Sequence, residues 1–151
     1  MKYGKFGIAR LQGFERLKAD GRWSLDKLVA ELSQAIVEVE SEEIEWPISY
    51  LQKFRLARDA LAELAAADGA IDEVLGRAAA STPTLAEWEI YSDVLGLPRL
   101  EGLSFGHPIL SGYARPIRTS LLLYIDTDKG YARTLSRYYL LGRKRGEKTN
   151  A

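Results

Sequence analysis

The fold of this chain is decided by two adjoining stretches near its C-terminal end, Arg115-Pro-Ile-Arg-Thr-Ser-Leu-Leu-Leu-Tyr-Ile-Asp126 and Gly130-Tyr-Ala-Arg-Thr-Leu-Ser-Arg-Tyr-Tyr-Leu-Leu-Gly142. From Ile117 onward, apolar residues recur at every second position of the first stretch, which is the period of a β-strand. The segment Asp126–Gly130 joins the two stretches and ends in glycine, as is typical of a hairpin loop. The pattern predicts an antiparallel hairpin whose return strand covers residues 131–140.

Upstream of Pro98 the apolar period is about 3.6 residues, which is typical of amphipathic helices. Apolar stripes and helix-capping residues predict four helices. They run approximately from Ser24 to Ser41, from Tyr50 to Ala67, from Ile71 to Ala79 and from Leu85 to Leu95. The fourth follows a capping box, Thr84-Leu-Ala-Glu87, and stops before Gly96. After Pro98 the period becomes 2, and one further strand is predicted at Leu103, Phe105, His107 and Ile109.

Helices followed by strands predict an α+β fold. We expect an N-terminal helical layer of about four helices and then a small antiparallel sheet of three or four strands, including the hairpin. A chain of 151 residues is the length of one domain. The prediction is a single domain over residues 1–142, with a helical part at 8–97 and a β module at 103–142. Residues 143–151 are expected to form a basic, flexible tail.

The composition excludes several classes of protein. Apolar residues make up 46% and charged residues 28%, which is an ordinary globular balance. The chain has no cysteine, so it has no disulfide, no thiolate nucleophile and no sulfur-ligated zinc or iron–sulfur site. It has neither a long apolar run nor a secretory signal, and we expect a cytoplasmic protein of bacterial origin with no membrane partner.

The charge is unevenly distributed, although the formal net charge is zero. Residues 1–100 contain 12 basic and 17 acidic side chains, whereas residues 101–151 contain 9 and 4. The segment Glu31–Glu45 has six glutamates and no basic residue. A basic C-terminal end favours an anionic partner, and the alternative is that the two halves of the chain attract each other.

The arginines and tyrosines of the hairpin are the best candidate binding residues. Guanidinium groups meet phosphates, and tyrosines stack on bases or fill protein interfaces. The alternative is that the tyrosines cover the core and the arginines solvate a strand face. One face of the predicted return strand shows Tyr131, Arg133, Leu135, Arg137 and Tyr139. The predicted binding residues are Arg118, Tyr124, Tyr131, Arg133, Arg137, Tyr138, Tyr139 and Arg143.

His107, the one histidine, is the residue that suggests an enzyme. A histidine base needs a nucleophile and an orienting group, and Thr119 or Ser120 offers the hydroxyl. No nucleophile elbow, phosphate loop or dinucleotide fingerprint occurs. The glutamates of residues 38–45 lack calcium-loop spacing. We therefore expect no metal, cofactor or catalytic residue, and the alternative role of His107 is to hold a turn by hydrogen bonds.

Three motifs of the C-terminal third resemble those of a known family. They are the His-Pro turn Gly106-His107-Pro108, the strand Ile117-Arg-Thr-Ser120, and the ending Thr134-Leu-Ser-Arg-Tyr-Tyr-Leu-Leu-Gly142. Together they resemble a family of short bacterial proteins without a known function, common in alphaproteobacteria and on mobile elements. The resemblance implies a small β module shared among proteins with varied N-terminal helices, and it implies no catalytic residue.

The sequence thus predicts a non-enzymatic, small binding or regulatory protein. It docks through the C-terminal hairpin, whose arginines and tyrosines are expected to face outward. A protein partner is slightly favoured over nucleic acid, because zero net charge and an acidic helical half weaken nonspecific polyanion binding. The alternatives are a small enzyme that uses His107 with a nearby hydroxyl, and a structural subunit that assembles through its tyrosine face.

Overall fold

The computed structural model describes residues 24–41, 48–94, 96–110 and 112–147. The chain divides into two compact units, residues 1–70 with 94–97 and residues 71–93 with 98–151. The predicted start of the helical part at residue 8 lies outside the described residues. No helix of the described ranges is both long and apolar enough to cross a membrane.

The first unit contains two long helices, α1 (Leu25–Ser41) and α2 (Ile48–Ala66), which pack against each other. Helix α1 begins at Ser24, whose Oγ accepts a hydrogen bond from the backbone N–H of Lys27 (3.2 Å) and thereby caps the helix. Both predicted helices are confirmed. Apolar side chains at three- and four-residue spacing are buried, namely Leu28, Leu32, Ala35 and Ile36 in α1 and Phe54, Ala57, Leu61 and Leu64 in α2.

Helix α2 ends at the predicted Asp68-Gly69 break. Both residues have left-handed φ angles, 53° and 75°, and the Gly69 N–H donates to the carbonyl of Leu64 (2.9 Å), which closes the last turn. The predicted third helix, at residues 71–79, opens the second unit as α3 (Ile71–Leu75). It continues as a 3-10 helix, Gly76–Ser81.

The second unit is built on a closed five-stranded barrel, rather than on the small antiparallel sheet of three or four strands expected from the sequence. Consecutive strands pair antiparallel, and a short parallel pairing between the last and first strands closes the barrel. Its interior holds a cluster of buried side chains, Leu85, Trp88, Leu100, Ile117, Leu122, Ala132 and Tyr139. The strands are β1 (Thr84–Ser92), β2 (Pro98–Phe105), β3 (Arg115–Asp126), β4 (Tyr131–Thr134) and β5 (Tyr138–Leu141).

The predicted fourth helix is wrong, because its segment forms strand β1. Glu87 has a left-handed φ of 49°, and Glu87 and Trp88 together oppose the single residue Gly102, which is a β-bulge. The extra residue places Leu85 and Trp88 on the same, buried face although they are three positions apart. A bulged strand therefore shows the spacing of a helix, and the apparent capping box is part of that strand.

The predicted hairpin is confirmed at its loop and changed in its return strand. Gly130 has a φ of 74°, and its N–H donates to the carbonyl of Asp126 (2.9 Å). The return strand is interrupted between β4 and β5, which pair so that Ala132 faces Tyr139. Tyr139 consequently lies on the core face of the barrel, and not on the face that carries Arg133 as a continuous strand predicts.

The start of the predicted flexible tail runs beside β1. The N–H of Arg145 donates to the carbonyl of Trp88 (2.8 Å), and the N–H of Trp88 donates to the carbonyl of Arg143 (3.4 Å). The indole N–H of Trp88 also donates to the carbonyl of Gly142 (3.0 Å). Residues 142–145 are therefore hydrogen-bonded to the barrel.

Candidate binding site

The site begins in the loop after β2, where the backbone fixes a histidine. Gly106 has a left-handed φ of 73°, which turns the chain out of the strand. The Nδ1 of His107 accepts hydrogen bonds from the backbone N–H groups of Ile109 (3.1 Å) and Leu110 (2.9 Å). Because Nδ1 accepts two hydrogen bonds it carries no proton, so the neutral ring is protonated on Nε2.

His107 contacts Tyr139 of β5, whose hydroxyl oxygen lies 3.3 Å from Nε2. Since Nε2 carries the proton, His107 donates and the tyrosine oxygen accepts. Burial raises the pKa of Tyr139. Burial also lowers the pKa of His107, and the positive charges of Arg137 and Arg115 lower it further. Both side chains are therefore neutral near pH 7.

The turn between β4 and β5 holds the backbone of Arg137. The hydroxyl of Thr134 donates to the carbonyl of Arg137 (3.1 Å) and accepts from its N–H (3.3 Å). The turn is tied to β3, because the N–H of Ser136 donates to the Oγ of Ser120 (3.2 Å). The guanidinium of Arg137 is thus carried by a backbone fixed at both ends of the turn.

These elements line an open pocket of about 250 Å³, called the His107 pocket from here on. Among the described residues, no acidic side chain lines it. Arg137 forms no ion pair with a carboxylate of the described ranges, and Arg118 contacts Glu101 through Nε alone (3.3 Å). The lining residues are His107, Ile109, Leu110, Arg118, Thr119, Ser120, Ser136, Arg137 and Tyr139.

The pocket contains three of the predicted binding residues, three others are buried and one is half-buried. Arg118, Arg137 and Tyr139 line the cavity. The expectation that the hairpin faces outward is corrected, because its side chains are largely buried within one chain. Tyr131, Arg133 and Tyr138 are buried and Tyr124 is half-buried.

Arg133 illustrates how the hairpin side chains are used within the fold. Its guanidinium lies over the ring of Tyr138, 4.9 Å from the ring centre, and its Nε donates to the carbonyl of Thr134 (2.9 Å). Burial lowers the pKa of Arg133, and burial raises that of Tyr131. The alternative in which tyrosines cover the core therefore describes this part of the hairpin.

Arg143, the eighth predicted binding residue, is exposed but already paired. Its guanidinium bonds to the carboxylate of Glu87. Arg145 likewise bonds to Glu89 (2.5 Å) and Glu101 (3.0 Å). These glutamates of β1 and β2 offset the basic charge of the C-terminal end, and a second cavity of about 420 Å³, beside Glu101 and Arg145, therefore has mixed charge.

The pocket brings His107, Thr119 and Ser120 together but does not arrange them as an acid–base pair with a nucleophile. The hydroxyl of Thr119 donates to the carbonyl of Ser120 (2.8 Å) and accepts from the N–H of Leu100 (3.0 Å). The Nδ1 of His107 is occupied by backbone donors, so no carboxylate orients the ring. Within the described residues, no group of three or more acidic or histidine side chains is placed to hold a metal ion.

Sequence reasoning missed the apolar rim of the pocket. The rim is formed by Ile109, which is 73% exposed, and Leu110. The alternation of Ile109 with small residues predicts a strand there, but β2 ends at Phe105. The adjoining Gly106 and Pro108 were the available signal that this segment is a loop.

A family model matches residues 49–148, and it describes a family of unknown function, DUF6634. The chain belongs to this family. The match includes the complete barrel and every residue that lines the His107 pocket. No curated protein and no solved structure matches the chain. Membership in DUF6634 agrees with the resemblance carried by the His-Pro turn and the C-terminal motif, and it brings no activity with it.

The placement of His107 predicts how the stability of the protein depends on pH. In the unfolded chain His107 titrates near its ordinary pKa of 6.5, whereas in the fold its pKa is lower. Between the two values the unfolded state binds more protons, so the contribution of His107 to stability falls as the pH drops below about 6.5 and is constant above it. Each unit between the two pKa values corresponds to about 1.4 kcal/mol. We expect His107→Asn, which keeps an acceptor for the two N–H groups, to remove this step from urea-unfolding free energies measured between pH 7.5 and 5. An identical pH dependence in both proteins would contradict the placement of His107.

Proposed function

We propose that this protein is a small, non-enzymatic binding protein that docks an acidic segment of a partner protein at the His107 pocket. The single observation that carries the proposal is the cationic lining of the pocket, in which Arg137 has no carboxylate partner among the described residues. The proposal includes the bacterial, mobile-element origin and the cytoplasmic location expected from the sequence.

A protein partner is favoured over nucleic acid by charge and by the rim. The barrel unit contains 11 basic and 9 acidic residues, a net charge of only +2. Nonspecific binding to nucleic acid depends on many unopposed cations, but Arg143 and Arg145 are offset by glutamates. Exposed Ile109 at the pocket edge suits an apolar side chain beside the acidic group.

Two alternatives receive less support. An enzyme that uses His107 as a base would need a carboxylate to orient the ring, but Nδ1 accepts hydrogen bonds from the backbone instead. A subunit that assembles through a tyrosine face would need these tyrosines on its surface, but Tyr131, Tyr138 and Tyr139 are buried within a single chain. The proposal therefore moves the contact from the hairpin as a whole to the pocket that Arg137 and Arg118 line.

Site-specific photocrosslinking tests the proposal. With a photoreactive residue in place of exposed Ile109, we expect capture of one partner protein in the native cell. Arg137→Ala in the same chain is expected to reduce capture about tenfold, since an interfacial charge loses its partner. The yield of the crosslinked band, identified by mass spectrometry, is the measurement.

Two control positions outside the pocket show whether capture depends on the pocket itself. The same photoreactive group at exposed Asp128 should give no such band. Arg143→Ala, which removes an exposed arginine already paired with Glu87, should leave capture within twofold. Equal losses for Arg137→Ala and Arg143→Ala, or recovery of nucleic acid as the crosslinked species, would overturn the proposal.

A further inference from the structure

We propose that the His107 pocket binds a phosphate monoester, presented by a phosphorylated side chain of the partner. This inference rests on the proposed function and specifies the anionic group that the pocket receives. The two chemical sources of such a group, a phosphorylated protein and a small phosphate ester, share the recognition chemistry and are distinguished by the experiment below.

Two hydroxyl groups of the pocket, those of Tyr139 and Ser120, are left with protons to donate. The backbone fixes the His107 tautomer, so the ring donates to Tyr139 and the tyrosine proton is free for another acceptor. The Oγ of Ser120 accepts from the N–H of Ser136, and its own proton has no acceptor among the described residues. The surrounding hydrogen bonds therefore leave two hydroxyl protons, those of Tyr139 and Ser120, available to a ligand in the pocket.

The arginines add donors and positive charge. Arg137 has no carboxylate partner in the described ranges. The guanidinium of Arg118 lies over the ring of Tyr91 (5.4 Å from the ring centre) and bonds to Glu101 through Nε alone, so its terminal nitrogens have no hydrogen-bond acceptor among the described residues. Arg137 and His107 line the same pocket, and the positive charge of Arg137 adds to the effect of burial in lowering the pKa of His107. No described carboxylate lines the cavity, but Glu101 outside it pairs with Arg118, so the unopposed positive charge in the lining is that of Arg137.

A phosphate monoester matches this set of donors better than a carboxylate does. Its three terminal oxygens and charge of about −2 accept from several donors at once, and guanidinium–phosphate hydrogen bonds are among the strong ones in proteins. The cavity of about 250 Å³ has room for the phosphoryl group and the first atoms of its carrier. Ile109 and Leu110 supply an apolar wall for that carrier.

The single histidine provides a direct reporter, because its ring signals in NMR spectra are unambiguous. The full chain is titrated with a capped peptide Ala-Leu-phosphoserine-Leu-Ala, with the same peptide carrying glutamate or serine instead, and with phenyl phosphate. We expect the phosphopeptide to shift the His107 ring signals and to bind about tenfold more tightly than the glutamate peptide. The serine peptide should leave the signals unchanged.

Variants test the assigned donors. Arg137→Gln should weaken phosphopeptide binding about tenfold, and Tyr139→Phe, which removes only the hydroxyl, about threefold. Arg143→Gln, as the matched control, should change it less than twofold. Folding of each variant is checked by its amide NMR spectrum, and the glutamate peptide is measured in parallel.

The outcomes separate this inference from the proposed function. Equal affinity for the phosphoserine and glutamate peptides overturns the phosphate assignment and leaves the acidic protein partner in place. Loss of binding in Arg143→Gln as large as in Arg137→Gln also overturns it. Phenyl phosphate binding as tightly as the phosphopeptide assigns the site to small phosphate esters. If a 5′-phosphorylated oligonucleotide binds more tightly than the phosphopeptide, the phosphate does not come from a partner protein and the inference is overturned.

Discussion

Replacement of Gly102 by alanine is expected to destabilise the barrel by about 3 kcal/mol. Gly102 faces the bulge of β1, and a Cβ at this position would lie 2.7 Å from the carbonyl oxygen of Ala86 and 3.1 Å from the Cα of Trp88. Both contacts are with backbone, so relief requires movement of a strand rather than rotation of a side chain. The loss exceeds the roughly 0.5–1 kcal/mol that alanine gains by restricting the unfolded chain.

Gly142→Ala is the matched control for this prediction. Its Cβ would meet Ala86 at 3.3 Å, a distance that a small shift of the neighbour relieves. In urea unfolding followed by far-UV circular dichroism, Gly102→Ala should therefore have a much lower free energy of unfolding than Gly142→Ala or the unaltered protein. A loss of less than about 1 kcal/mol for Gly102→Ala would show that β1 and β2 do not approach each other as closely as described.

The sequence predicted the elements whose signals are local. Helices α1 and α2 follow from apolar spacing, the cap at Ser24 and the Asp68-Gly69 break. The hairpin loop at Asp126–Gly130 follows from its glycine. In each case the residues that decide the conformation are close together in the chain, so pattern and structure depend on the same interactions.

Closure of the barrel depends on contacts that no local pattern records. The parallel pairing of β1 with β5 joins Thr84 to Leu140 and Leu85 to Leu141, over two residues per strand. Such a short pairing has no periodicity of its own. The bulge gives β1 the spacing of a helix, so the sequence predicts a helix where the strand that closes the barrel with β5 lies.

The candidate site could be predicted in part. The concentration of arginines and tyrosines pointed to the correct region, and Arg118, Arg137 and Tyr139 do line one cavity. Which hairpin residues are exposed was not predictable, because the interruption between β4 and β5 reverses the alternation of faces. The pairing of Arg143 with Glu87 depends on the same unforeseen strand.

Trp88→Ala is expected to cost about 4 kcal/mol, because it removes a large buried side chain. The indole of Trp88 packs in the barrel interior, and its N–H donates to the carbonyl of Gly142 (3.0 Å). The backbone of the same residue pairs with the segment that follows β5. Loss of the indole should therefore have two effects: it destabilises the barrel and it releases the segment after β5. The amide hydrogen exchange rate at Arg145 measures that release.

Trp88→Phe separates packing from hydrogen bonding. Phenylalanine retains most of the buried ring but lacks the N–H that reaches Gly142, so we expect a loss of about 1–2 kcal/mol. Exchange at Arg145 should accelerate in both variants, and more strongly in Trp88→Ala. If Arg145 exchanges as fast in the unaltered protein as in an unfolded chain, the segment after β5 is not held by β1. Its arginines would then be unpaired cations, and Arg143 would be as well suited as Arg137 to bind an acidic partner.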